Sequence, residues 1–264
     1  MRKIAPLISC ICVTFKKPVM LDLVIACFRA QTYQNKQLII LYEDHDQTTI
    51  EYIKKQTFPD DTKVIEVSSD PKKTLGELRN IAIEQADGEF ICQWDDDDWY
   101  HVNRLQYQFD ALTKAERLGS ILRHWLIFDA TKNKLYISHA RNWEGSILCS
   151  KELFLLKKYD ESSRGEDTAV VEYFCENEYL VSINEITGMY MYVYHGSNTW
   201  DFEHFNKIFD RCKEVIADSS ITGKILNTSP TESSILMDEI MRLNDHMAEE
   251  WSANSNKLIV EDKL

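Results

Sequence analysis

Four contiguous acids, Asp95-Asp96-Asp97-Asp98, follow the apolar run that ends at Trp94 and are the residues of this chain best suited to chemistry. Like charges so close repel: at roughly 6 Å and an effective dielectric of about 20, each pair costs about 2–3 kcal/mol before solvent screening. A divalent cation removes that cost. Extended backbone alternates its side chains, which predicts Asp95 and Asp97 on one side and Asp96 and Asp98 on the other. One pair could then hold a hard metal while the other caps the helix that follows. Mg2+ or Mn2+, which keep positions open for phosphate oxygens, suit such a carboxylate site. The plainer alternative is a solvated acidic loop with an N-cap, and the flanking Trp94 and Trp99 argue for a built site instead.

The elements that must carry these acids are legible in the hydrophobic pattern. Leu7 to Phe15, Gln37 to Tyr42, Lys63 to Val67 and Glu89 to Trp94 read as strands, the first as one buried on both faces. Between them, Pro18 opens a helix bearing Leu21, Val24, Ile25 and Phe28, Thr48 to Gln56 reads as a second helix, and Thr74 to Ala86 as a third with Gly88 beyond its end. Strict alternation of strand and helix predicts an α/β fold with a parallel sheet. In such sheets ligands bind beyond the carboxyl ends of the strands, where Glu43-Asp44 and the four-acid run both fall. From Gly119 the rhythm changes. Ile121 to Phe128 and Lys134 to Ser138 are expected as strands around a polar turn, with Gly145 to Cys149, Tyr179 to Ile183 and Met189 to Tyr194 as further strands among short helices. The last sixty residues read as mostly polar and helical, with Ile235, Leu236, Ile240 and Leu243 at helical spacing to pack on the domain or on a second copy.

Composition excludes several functions. The formal charge of −13 opposes general binding of nucleic acid or anionic lipid. Only eight glycines are present, none closely spaced, so neither a dinucleotide fingerprint nor a Walker loop can be written. The seven cysteines show no framework or zinc spacing, and Cys10 and Cys12 read as core residues in a reduced compartment. No apolar run is long enough to span a membrane, and the start lacks a signal-peptide cleavage site, so the expectation is a cytoplasmic protein, with peripheral association at the inner membrane face left open.

The segments ISCICVTFKKPVMLDLVIACFRAQTYQNKQLIILYED and LGELRNIAIEQADGEFICQWDDDDWYHVNRL resemble, over about residues 7 to 110, the amino-terminal half of family-2 glycosyltransferases of the GT-A fold, of the bacterial surface-polysaccharide type. The resemblance implies a Rossmann-like, mostly parallel central sheet flanked by helices. Residues 1–118 would form a nucleotide-sugar-binding half, residues 119–200 a mixed acceptor-side half, and residues 201–264 a helical extension. It implies a nucleotide-sugar donor, a UDP-sugar in the first instance, a glycan or lipid-linked glycan acceptor, and Mn2+ or Mg2+. Thr14 would lie along the nucleoside, Asp44 would accept from the base, Asp95 would contact the ribose side and Asp97 would ligate the metal. Lys73 and Arg79 would support the donor pocket, although a helical Arg79 could equally be a surface ion-pair partner.

In the second half the resemblance thins. Glu166-Asp167 resembles the motif whose Asp is the general base of an inverting transfer, the alternative being acids that merely favour a helix N-terminus. His195, in a His-Gly-Ser-Asn loop, resembles a late histidine that approaches metal or diphosphate. Trp143 is read as an acceptor floor or as a core residue. Two other classes compete: a magnesium phosphatase, disfavoured because Trp99 rather than Thr or Val follows the acids, and a non-catalytic sugar- or metal-binding module on the same fold.

Overall fold

The computed structural model describes residues 5–185, 188–200, 202–215, 217 and 223–244. The first half alternates as expected: β1 (Ile8–Val13), α1 (Pro18–Arg29), β2 (Lys36–Glu43), α2 (Gln47–Ile53), β3 (Thr62–Val67), α3 (Leu75–Gln85) and β4 (Phe90–Gln93). A short β5 (Trp99–Tyr100), which the pattern did not show, and α4 (Arg104–Lys114) follow the acids. Then come β6 (Gly119–Leu122), β7 (Leu126–Asp129), β8 (Lys134–Ile137), β9 (Leu148–Ser150), α5 (Lys151–Leu156), α6 (Thr168–Glu176), β10 (Leu180–Ile183), β11 (Tyr190–Tyr194), α7 (Phe202–Phe209), β12 (Lys213–Glu214) and α8 (Pro230–Leu243).

The large sheet runs β10-β6-β9-β4-β1-β2-β3, and it is parallel except where β9 runs against β4 and β6. Period-2 alternation sends Cys10, Cys12, Leu38 and Ile40 into one apolar layer with α1, and Ile11, Ile39 and Leu41 into the other with Leu78 and Ala82 of α3. Both faces are thus covered, as a continuous apolar run requires, at about 1.5–3 kcal/mol for each fully buried large aliphatic. All seven cysteines are free, and Cys10 and Cys12 are fully buried.

The second sheet runs β12-β8-β7-β11-β5, and two expectations for this half of the chain are corrected. The run Ile121 to Phe128 is two strands in different sheets: β6 pairs with β9 and β10, whereas β7 pairs with β8 and β11. Both pieces are buried, and the break falls at the polar pair Arg123-His124, the one interruption in an otherwise apolar run. Gly145 to Cys149 begins as a 3-10 turn, Glu144–Ser146, before β9. Beyond residue 200, Lys213–Glu214 joins β8 as a two-residue edge strand between the helices.

The buried face of α8 is also not the stripe expected from Ile235, Leu236, Ile240 and Leu243. Ile235 and Leu243 are exposed, and the face that packs holds Ser233, Ser234, Met237, Ile240 and Met241. The small serines let the helix close on the β5 corner, where Ser233 Oγ accepts from Trp99 Nε1 at 3.0 Å and Ser234 Oγ from the Val102 amide at 3.1 Å. No helix among the described residues is long and apolar enough to cross a membrane. Residues 245–264, part of the expected helical extension, lie outside the described residues.

The loop 159–167 docks on α3, and this contact brings the two halves of the sequence together. A capping box, Thr74 with Glu77, starts α3. One turn on, Asn80 donates to the Tyr159 carbonyl at 2.9 Å and accepts from the Tyr159 amide at 3.0 Å. The Gly76 amide donates to Ser162 O at 3.0 Å, and a Cβ at Gly76 would stand 1.9 Å from Asp160 O. Glycine to alanine within a helix ordinarily stabilises by about 0.4–1 kcal/mol. Here Gly76→Ala should instead cost about 1–3 kcal/mol, because backbone blocks the methyl. Urea unfolding decides the sign, and a stabilised variant would show that the loop does not press on α3.

Candidate active site

A cleft of about 860 Å3 opens at the carboxyl ends of β1, β2 and β4 and continues against β7, β11 and α7. Its size is at the upper end for ligand pockets, which run to about 1,000 Å3. Thr14, Arg79, Asp95, Asp97, Trp143, Glu166 and Asp167 all line it. The sequence places these residues as far as 153 positions apart, from Thr14 to Asp167.

Its centre is a buried ion cluster on Arg79, whose guanidinium contacts Asp95 Oδ1 at 2.6 Å, the Glu166 carboxylate, and Asp167 Oδ2 at 3.6 Å. Arg79 is not a surface ion-pair partner: its side chain is 9% exposed. Burial opposes its charge, but Asp95, Glu166 and Asp167 outweigh that and hold the guanidinium protonated. One cation cannot satisfy three carboxylates. Burial pushes both Glu166 and Asp167 above the usual carboxylate range, against the pull of Arg79. Asp167 occupies the N-cap position of α6, yet its side chain makes no capping bond, so helix capping does not explain it. Gln93 holds the floor, donating to Asp95 Oδ2 at 3.1 Å and accepting from the Tyr159 hydroxyl at 2.9 Å.

The four acids do not alternate. Asp96 and Asp97 occupy a turn, so both reach Lys17, whose Nζ lies 3.1 Å from Asp96 Oδ1 and 2.6 Å from Asp97 Oδ2. Lys17 was not singled out as a site residue. The signal for it was its place immediately beyond the first strand, where sheet ligands bind. Asp98 faces away, accepting from the Tyr190 hydroxyl and from the Val193 amide at 2.9 Å. None of the four caps α4, whose N-cap is Asn103. Four environments therefore separate four identical side chains. Burial pushes Asp98 well above the usual range, with Asp97 and Asp95 adding to it. Burial and the charge of Asp97 take Asp96 up to about 6. Burial also works against Asp97, but the His195 hydrogen bond and Lys17 outweigh it and keep Asp97 low.

His195, at the end of β11, reaches Asp97 Oδ2 through Nε2 at 3.1 Å, with Nδ1 2.8 Å from Ser197 Oγ. No group of three or more His, Cys, Asp or Glu among the described residues forms a metal cluster. Asp97 with His195 nevertheless fits a cation that completes its shell from water and ligand oxygens, as Mg2+ does in phosphate sites. Glu43 Oε1, buried in the cleft lining, has no hydrogen-bonding partner among the described residues, whereas the Thr14 hydroxyl faces Asp96. Such an orphaned group costs about 1–3 kcal/mol, which a polar ligand would relieve.

The remaining candidates sit at the edges. Asp44 is exposed one residue beyond β2, and its Oδ1 accepts from Ser69 N at 3.0 Å and Ser69 Oγ at 2.6 Å. Lys73 braces the same loop, donating to Ser68 O at 2.6 Å and Pro71 O at 3.2 Å. Among the residues of β2 and its end, Glu43 is the acid in the cleft lining. Trp143 is only 3% exposed, stacked on Trp125 with centroids 4.5 Å apart, so it offers an edge and not an open floor. The more open indole of the cleft is Trp200, stacked on His204 at 4.2 Å.

Replacing Arg79 by Met should destabilise the protein by about 3–5 kcal/mol at neutral pH, since three carboxylates lose their shared cation. The pKa values of Glu166 and Asp167 would rise further, so acidification would neutralise these two at little cost. The gap to wild type should therefore narrow as pH falls, as denaturant melts at a series of pH values would show. A gap independent of pH would mean that packing, not charge, carries the loss.

The fold and the sequence have known counterparts. Structural comparison returns S. aureus TarS 1-349 with UDP-GlcNAc (TM-score 0.59, 13% identity, 92% of this chain and 74% of that one). It also returns the same protein with UDP (TM-score 0.58, 13% identity, 91% and 72%). A third counterpart is the mannosyltransferase PcManGT of Pyrobaculum calidifontis with GDP-Man and Mn2+ (TM-score 0.58, 12% identity, 98% and 81%). No curated protein matches by sequence. These likenesses establish the fold, the GT-A arrangement. Residues 9–175 match the sequence model of glycosyl transferase family 2, well over half the chain and a span that holds both the four-acid run and Asp167. The chain belongs to glycosyl transferase family 2.

Proposed function

We propose that the protein transfers a sugar from a nucleotide-sugar, in the first instance a UDP-sugar, to an acceptor hydroxyl with inversion at the anomeric carbon. The observation that carries this is the meeting of two distinct acid sets in one cleft: Asp95, Glu166 and Asp167 on Arg79, and Asp96 and Asp97 with Lys17 and His195. The donor lies along Thr14 and Phe15. Asp44 reads the base from the rim, and Lys73 supports its loop. Asp97 and His195 hold Mn2+ or Mg2+, which when bound supplies positive charge to the diphosphate. The neighbours solved with UDP-GlcNAc and with GDP-Man and Mn2+ support this donor and metal class.

Asp167 takes the acceptor's proton as the acceptor oxygen bonds to the anomeric carbon and the bond from that carbon to the diphosphate breaks, releasing a nucleoside diphosphate. A base must be ionised to act, and one whose pKa is raised toward the working pH is the better proton acceptor. Glu166 is a positioning residue that holds Arg79. The acceptor is a glycan or lipid-linked glycan.

Asp167→Asn keeps shape but cannot take a proton, so turnover should fall about 10²–10⁴-fold while donor affinity persists. In the wild type, rate should rise with pH through a pKa above the usual aspartate range, a limb the variant lacks. NMR of the product should show inversion, and retention or near-normal turnover would remove Asp167 as the base. Asp97→Ala should abolish the metal dependence of donor binding, measured by calorimetry with and without Mn2+. Asp44→Ala should raise the donor KM and leave kcat nearly unchanged, the mark of uniform binding. A donor panel read by nucleoside diphosphate release tests the nucleotide.

A further inference from the structure

We propose that the acceptor is anionic, carrying a phosphate or carboxylate beside the hydroxyl it presents to Asp167; this rests on the transferase reading above. The chain's net charge is −13, yet the cleft wall away from the four acids is lined by Arg141, Arg164, Lys207 and Arg211. All four are exposed. Of the cations elsewhere in the cleft, Arg79 is held by three carboxylates and Lys17 by Asp96 and Asp97, while Lys16 lies over the Phe15 ring at the end of β1. Arg141 is paired with Glu144. Arg164 and Lys207 differ. Among the described residues neither is paired with a carboxylate.

Arg164 instead lies over the indole of Trp200, 5.4 Å from its centroid, and Trp200 stacks on His204, one turn before Lys207 on α7. This layer joins the loop bearing Glu166 and Asp167 to α7. Arg164 precedes Asp167 by three residues, which limits their backbone separation to about 11 Å. An acceptor whose hydroxyl reaches Asp167 can therefore set a ring on Trp200 and an anionic group between Arg164 and Lys207. Arginine favours this role, because its planar fork matches both phosphate and carboxylate oxygens while stacking on a ring. A neutral acceptor would leave both cations without a counter-charge. The overall negative charge keeps the effect local, so it selects a group on the acceptor and does not attract polyanions at large.

The test uses the full chain saturated with UDP and Mn2+, so that the donor site is filled. Three probes are titrated by calorimetry: methyl glucoside, its 6-phosphate and methyl glucuronide. The proposal expects one or both charged probes to bind at least about tenfold more tightly than the neutral one, and the two arms separate phosphate from carboxylate. The advantage should shrink from about 10 mM to about 1 M salt, as the Debye length falls from about 30 Å to about 3 Å. Arg164→Gln with Lys207→Gln should erase it with UDP affinity unchanged, whereas Lys54→Gln with Lys55→Gln, an equal change of charge on the exposed end of α2, should not. Equal binding of all three probes, or equal effects of the two double variants, would overturn the proposal. Failure of UDP to bind at all would instead strike the donor reading, and is measured first.

Discussion

A single guanidinium carries most of the architecture of this cleft. Arg79 projects from α3, nine-tenths buried, onto carboxylates from the end of β4 and from the loop before α6. Neither side of that contact is stable alone: a buried unpaired Arg and buried unpaired acids both carry several kcal/mol of desolvation cost. The contact therefore acts as a latch between sequence segments nearly ninety residues apart, the Arg79–Glu166 separation. Asn80 and Gly76 complete it, one by bonding the loop's backbone and the other by having no Cβ to obstruct it. The latch also tunes chemistry. With three acids to one cation, burial wins at Glu166 and Asp167, and their pKa values rise.

Lys17 solves the second charge problem by other means. Repulsion within the four-acid run is relieved without a metal, because the turn brings Asp96 and Asp97 onto one ammonium and buries Asp98 against Tyr190 and the Val193 amide. Lys17 is held from the start of α1, so its ammonium stays beside both carboxylates. The acid run is thus balanced internally, which lets a strongly acidic cleft persist between ligands.

The aromatic wall of the second half serves both packing and recognition. Trp125 stacks on Trp143 and Tyr192, binding the second sheet to the turn before β9. These rings are mostly buried, so their contribution is chiefly area removed from water. Trp200 is placed differently, at the layer formed by Arg164 and His204, where a ring face remains partly open.

The sequence alone determined the α/β alternation, the polarity of the first four strands, the burial of Cys10 and Cys12, and the family. The first three follow from local rules, strand and helix periodicities and a proline at a helix start, and the family from the resemblance of two whole segments over about residues 7 to 110. Acids at a strand end marked Asp95 and Asp97, the resemblance marked Glu166 and Asp167, and the fold brings all four into one cleft lining. What the tertiary structure alone decided was pairing. Four adjacent aspartates are equivalent until Arg79 from α3, Lys17 from the start of α1, and Tyr190 and His195 from β11 and its end approach them, and no spacing along the chain encodes those distances. For residues 121–128 the polar pair Arg123-His124 marks a break, but only the tertiary pairing sends the two apolar halves into different sheets. The packing face of α8 went to two serines because backbone closeness and hydrogen bonds to Trp99 and Val102, not hydrophobicity, set the contact.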